Sequence, residues 1–233
     1  MRPDATPQRA AHEAAGMEDS ATDLRNLSVG ELTTRLASRN PIPGGGSASA
    51  IAAAMGAALV GMVAELTIGR PEAEPHADEL RAIRDEAARY RAELLGLAQT
   101  DAAAYDAVVR ARRMARTTEE EREARRAAVG GAMVAAADAP LHIARLAAAT
   151  MQLAERIAPM GNPNAVSDTG VAALLAGAAV RGAAMNVRIN LPYLPADVGL
   201  RSTAPAELEA LETQVAAAEA RTTAIVNGRL EPS

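Results

Sequence analysis

Residues 40–64, NPIPGGGSASAIAAAMGAALVGMVA, carry no charged side chain. An uncharged run of this length has to be buried, either in a protein core or in a bilayer. It opens on two prolines and three glycines, and its remainder is rich in Ala and Gly and poor in Leu. A membrane span draws its insertion energy from larger apolar side chains. The run therefore reads as a buried core helix, capped by Ser47 and ending near Ile68, and no membrane is expected as a partner.

A core helix of alanines needs unusual neighbours. The chain has no Phe, no Trp and three Tyr among 233 residues, although 49% of it is apolar. Alanine is the best helix former, but it buries little area per residue. Small side chains let helix axes approach to the low end of the roughly 8–10 Å range. The expected fold is an all-α, single-domain multihelical bundle, tightly packed and completed by a partner subunit as a homodimer.

Several function classes drop away. With no cysteine there is no disulfide and no thiolate zinc site. His12, His76 and His142 are scattered, so no metal is expected. A net charge of −5 argues against nucleic acid as a partner. All 24 basic residues are arginine, which removes Schiff-base chemistry on lysine. The first twenty residues are charged throughout and lack an apolar signal core. Residues 1–26 read as a disordered tail, residues 27–233 as the helical domain, and the expected compartment is the cytoplasm.

Ser28 and Glu31 have capping-box spacing for a first helix running to about Ser38. A long helical region over 76–114, continuous or jointed near Gly96, carries an apolar stripe through Leu80, Ile83, Ala87, Tyr90, Leu94, Leu97, Tyr105 and Val108. Thr117 or Thr118 caps the next helix, which Pro140 should interrupt before it ends near Ile157. A helix over 166–189 and a last one from Pro205 to Val226 complete the chain.

Some residues are not explained by a plain bundle. Asp101 falls where the stripe of the long helix continues. A carboxylate buried there must be paired or have its pKa raised; alternatively the helix breaks near Gln99 and Asp101 is a cap. Asn162, Asn164, Ser167 and Asp168 crowd one helix entrance, more polar groups than capping uses. Gly182, Asn186 and Asn190 share one face at i, i+4, i+8, suiting either core amide bonds or contact with a flat heterocycle. Arg110, Arg112, Arg113 and Arg116 at a helix end form either a solvated terminus or a carboxylate clamp. Gly44, Gly45, Gly46 and Ser47 lead into a helix N-terminus without the lysine of a P-loop.

Three segments together, PIPGGGSASAIAAAMGAALVGMVAELT, QTDAAAYDAVVRA and GNPNAVSDTGVAALLAGAAVRGAAMNVRINL, resemble the cyclodeaminase/cyclohydrolase family of folate one-carbon metabolism. The likeness runs from about Ser28 to Val226. It implies a helical homodimer that binds a tetrahydrofolate derivative near the subunit interface and uses no metal. The activity implied is formiminotetrahydrofolate cyclodeaminase or methenyltetrahydrofolate cyclohydrolase. The family's P-G-G-G-S-A falls on Pro43 to Ala48, D-x-x-A-Y on Asp101, Ala104 and Tyr105, G-N-x-x-x-x-S-D on Gly161, Asn162, Ser167 and Asp168, and N-V-x-I-N-L on Asn186 to Leu191. By that likeness Asp101 is the acid/base and Asp168 a second carboxylate or electrostatic partner. Asn162, Asn186 and Asn190 orient the pterin, with Tyr105, Asn164 and Ser167 also against substrate. The Gly44–Ser47 loop and Arg116 hold the glutamate tail or shape the pocket wall. Where family members often read Pro-Lys, this chain has Ala115-Arg116; arginine serves a carboxylate but does not exchange protons near neutral pH.

Overall fold

A computed structural model describes residues 23–230. It contains six α-helices in the order α1 Val29–Leu36, α2 Gly45–Thr67, α3 Ala77–Arg113, α4 Glu119–Ile157, α5 Val166–Asn190 and α6 Leu200–Leu230. Short 3-10 turns at Leu24–Asn26, Pro71–His76, Pro163–Ala165 and Leu191–Tyr193 join them, and no strand occurs among the described residues. Residues 1–22 of the expected tail lie outside the described residues. The last of that stretch folds, because Leu24 is buried and its N–H donates to Gln99 Oε1 at 2.9 Å.

Side-chain caps set two of the six helix starts. Ser28 and Glu31 make the reciprocal capping box of α1, and Thr118 and Glu121 make that of α4. α2 departs from expectation: it begins at Gly45 with Gly44 as its N-cap and no side-chain cap, since Ser47 is turned inward to another partner. α3 is unbroken through Gly96 and Gln99, which places Asp101 inside a helix. α6 starts five residues before the proline expected to open it and contains Pro205.

Pro140 does not interrupt α4. The helix continues through it, and the carbonyl that proline leaves unbonded, that of Ala136, accepts from Asn190 Nδ2 at 2.8 Å. The cost of an interior proline is largely an orphaned carbonyl and a ring clash; here a side chain of α5 takes up the orphan.

α2 is the centre of the bundle. It packs on α3, α4 and α5, and Ala50, Ala53, Ala57, Val60, Val63 and Ala64 are fully or almost fully enclosed. It runs antiparallel to α5. A Cβ on Gly45 would sit 3.3 Å from Asn186 Nδ2, one on Gly182 2.5 Å from Ser49 Oγ, and one on Gly56 3.1 Å from the Ala172 carbonyl. These contacts are the close helix approach that small residues permit. α2, α4 and the segment Pro163–Tyr193 containing α5 are long and apolar enough by length and composition to cross a membrane; in the bundle much of each apolar window is buried.

α2 and α5 also leave apolar side chains uncovered. Met55, Met62 and Leu66 on α2, and Val171, Leu174, Met185 and Ile189 on α5, are exposed, with Met185 and Ile189 at 68%. Helical phase puts both sets on the same side of the antiparallel pair, because each set is offset in the same sense from the residues through which the two helices touch.

Candidate functional site

At the N-terminal end of α2 the bundle opens into a cavity of about 400 Å³. Its walls are the Pro41–Gly46 segment, one face of α3 from Asp101 to Arg112, Met133 and Ala136 of α4, Asn186, Ile189 and Asn190 of α5, and Tyr193. The site follows from topology. α5 ends where its antiparallel partner α2 begins, and α3, packed on α2, supplies the facing wall.

Asp101 lies at the floor. Ser47 Oγ lies 3.0 Å from its Oδ2 and 2.9 Å from the Ala98 carbonyl, and its single hydrogen is shared between these two acceptors. Burial pushes the Asp101 carboxyl above its ordinary value; the Ser47 hydroxyl and the Ser47 backbone N–H pull the other way and are outweighed. Gly46 makes the seat possible, since a Cβ there would fall 2.2 Å from Asp101 Oδ1 and 2.6 Å from Oδ2. The glycines were expected to bring bare backbone up to a ligand. Gly46 instead makes room for a carboxylate of the chain itself, and Gly45 admits the Asn186 amide.

The other polar groups converge from α5. Asn186 Nδ2 donates to the Gly182 carbonyl at 2.9 Å, and Asn190 Nδ2 to the carbonyls of Ala136 and Asn186. Two of the chain's three aromatic rings, Tyr105 and Tyr193, face the same cavity, in a protein otherwise built of aliphatic side chains. Rings at 45% and 62% exposure give flat apolar surface for a planar ligand. A carboxyl with raised pKa beside amides and aromatic faces can bind a flat, N–H-bearing molecule and exchange a proton with it.

The structure brings together Gly44, Gly45, Gly46, Asp101, Tyr105, Asn186 and Asn190, with Ser47 behind Asp101. Asn162, Asn164, Ser167 and Asp168 lie elsewhere, at the far end of the α2–α5 pair. Asp168 is about 27 Å from Asn186 along α5 at 1.5 Å per residue, so the two carboxylates share no cleft within one chain. Asn162 ties that far end: its backbone N–H donates to Thr67 Oγ1, its Nδ2 to the Leu66 carbonyl, and its Oδ1 accepts from Asn164 N–H. Asn164 and Ser167 are exposed. Arg116 is exposed in the α3–α4 connection and does not line the cavity; Arg112, one turn back in the same cluster, does. Tyr193 was missed by sequence reasoning, and the scarcity of aromatics was the signal that pointed to it. Among the described residues no three His, Asp or Glu converge as a metal site.

The chain is similar to known proteins. Residues 28–210 match the family model described as formiminotransferase-cyclodeaminase. A methenyltetrahydrofolate cyclohydrolase of Methylorubrum extorquens is 41% identical over 165 residues, covering 71% of this chain and 79% of that protein. The formimidoyltransferase-cyclodeaminase of Rattus norvegicus is 33% identical over 184 residues, 79% of this chain but 34% of the longer rat protein. The crystal structure of a formiminotetrahydrofolate cyclodeaminase from Thermotoga maritima superposes with a TM-score of 0.79 at 30% identity, over 89% of this chain and 99% of that one.

Proposed function

The chain belongs to the formiminotransferase-cyclodeaminase family, and from that premise we propose that it is a cytoplasmic enzyme acting on one-carbon units of tetrahydrofolate. Methenyltetrahydrofolate cyclohydrolase activity is the first reading, supported by the 41% identity to the Methylorubrum enzyme. Formiminotetrahydrofolate cyclodeaminase activity is the second, supported by the near-complete overlap with the Thermotoga structure. The observation that carries both is the Asp101 carboxyl, raised by burial and seated by Ser47 on the floor of a cavity with aromatic walls.

In hydrolysis, water adds to the cationic carbon bridging N5 and N10, and Asp101 takes one of its protons as the C–O bond forms. The C–N5 bond then breaks. The protonated Asp101 supplies N5, the hydroxyl proton leaves to solvent, and 10-formyltetrahydrofolate remains. In deamination, protonated Asp101 gives its proton to the imino nitrogen as N10 attacks the formimino carbon; the carboxylate then takes the N10 proton and passes it to that nitrogen, which leaves as ammonia and yields the methenyl cation. A carboxyl whose pKa lies above the ordinary value serves as either donor or acceptor nearer neutral pH. Tyr105 and Tyr193 hold the flat ring, Asn186 and Asn190 orient its edge, and Arg112 faces the carboxylates of the tail.

The homodimer belongs to the same reading. The uncovered apolar side of α2 and α5 suits a second copy. On α5 the exposed positions Ser167, Val171, Leu174, Ala178, Met185 and Ile189 are nearly symmetric about Ala178. A two-fold axis there pairs the helices antiparallel and sets the partner's Asp168 beside Ile189, at the cavity mouth. The two carboxylates then meet between subunits rather than within one.

Side-by-side spectroscopic assays with methenyltetrahydrofolate and formiminotetrahydrofolate test the activity. Decay of the first or conversion of the second supports the enzyme. Binding without turnover favours a non-catalytic helical dimer that holds a folate, and the absence of binding ends both readings.

A further inference from the structure

The proline in α4 has a place in the site that its helix gives no reason for. Pro140 is buried in the middle of a 39-residue helix, where proline is the least favourable residue. Its missing N–H leaves the Ala136 carbonyl without its helical donor. That carbonyl faces the cavity wall and accepts from Asn190 Nδ2 at 2.8 Å, while the second Nδ2 hydrogen goes to the Asn186 carbonyl at 2.9 Å. Both partners are carbonyl oxygens, so only the nitrogen of the amide can occupy this position. Both amide hydrogens are thereby committed. Among the described residues nothing donates to Asn190 Oδ1, and Asn190 lines the cavity. What Asn190 offers a ligand is an acceptor and nothing else.

We propose that Pro140 is a positioning residue for the folate site: by freeing the Ala136 carbonyl it locks the Asn190 amide with Oδ1 as a fixed acceptor for an N–H on the edge of the bound ring. The inference rests on the folate reading above and adds polarity to it. A ligand edge with a hydrogen to donate fits, and one presenting a lone pair at that point is repelled. An unlocked asparagine could turn its amide and accept either, so the lock selects between ring edges of the same shape but opposite hydrogen-bonding sense.

The test is a double-mutant cycle with methenyltetrahydrofolate turnover and tetrahydrofolate calorimetry as readouts. Pro140→Ala restores an N–H to compete for the Ala136 carbonyl, and alanine is a strong helix former, so the fold is kept. Pro140→Ala is expected to raise KM and the tetrahydrofolate Kd by about 3- to 10-fold, the range of one hydrogen bond, with kcat within about twofold. Asn190→Ala is expected to raise both by at least as much. In the Asn190→Ala background Pro140→Ala should then change neither. Additive effects would mean that Pro140 acts elsewhere and overturn the proposal, as would an unchanged KM in Pro140→Ala. Wild-type protein that neither turns over nor binds folate refutes the functional reading itself, a result distinct from either.

Discussion

Gly46→Ala tests the seat of Asp101 without touching a titratable group. The added Cβ would arrive 2.2 Å from Asp101 Oδ1 and 2.5 Å from Cγ, far inside contact distance, so one of the two must move. α2 is pinned by close contacts with α5 along its length, whereas the carboxyl is the end of a side chain beside a cavity. The carboxyl therefore moves, swinging off Ser47. Overpacking of this kind costs about 1–3 kcal/mol, and replacing a helical glycine by alanine returns about 0.5–1 kcal/mol. The net loss is about 2.5 kcal/mol or less, which for a chain of this size lowers Tm by no more than about 10 °C. Activity responds differently. General acid/base groups supply about 10²–10⁴-fold, and a displaced carboxyl forfeits most of that, so kcat should fall by at least about 100-fold. Thermal unfolding and the methenyltetrahydrofolate decay assay measure the two effects on one preparation. Gly96→Ala, a helical glycine with nothing within 4 Å of the added carbon, is the control and should leave kcat unchanged. A Gly46→Ala protein that keeps kcat within about threefold would show that the chemistry does not depend on this seat, and the assignment of Asp101 would fall with it.

Asp101→Asn should abolish turnover and change the pH dependence of stability. Burial raises the folded-state carboxyl above its unfolded value, so its contribution is fully present below the unfolded pKa and is lost as pH rises through the folded one. The variant lacks this loss, and its Tm relative to wild type should be higher at about pH 7 than at about pH 4; the reverse order in calorimetry would contradict the burial argument. Subunit mixing checks the intersubunit site: Asp101→Asn and Asp168→Asn proteins, each inactive alone, should regain about a quarter of wild-type activity on exchange, since half the dimers then hold one intact site. No recovery in mixtures shown to exchange subunits would place Asp168 outside the mechanism. Asn162→Ala should lower stability by about 1–3 kcal/mol through loss of its amide bonds while leaving kcat near wild type. A large kcat loss with unchanged Tm would make Asn162 part of the site rather than of the frame.

Helix content and packing were legible because alanine and the 3.6-residue stripe act locally. Leu80, Ile83, Ala87 and Leu94 are buried as their spacing requires. Asp101 was recognisable as an intruder on that stripe, but its partner was not, because Ser47 is 54 residues away and read equally well as a cap. Pro140 was misread for a similar reason. Proline breaks a helix when its orphaned carbonyl has no donor, and the donor here comes from Asn190, far along the chain. The polar cluster at Asn162–Asp168 and the pair Asn186–Asn190 were joined in one pocket by the family likeness, although the helix read over 166–189 already sets them at its opposite ends within one chain. Of the arginines at the end of α3, the one that lines the cavity is set by helical phase: Arg112 does, and Arg116 lies past the last turn.

α2 acts as a ruler. One end of it forms the seat of Asp101, the other receives Asn162 through Leu66 and Thr67, and the glycine contacts with α5 index everything between. Inserting or deleting a single residue inside Gly45–Thr67 would rotate one end by about 100° and slide it about 1.5 Å against the other, unseating either the carboxyl or the far-end tie. A length change that keeps both ends seated has to fall in the connections on either side of the helix.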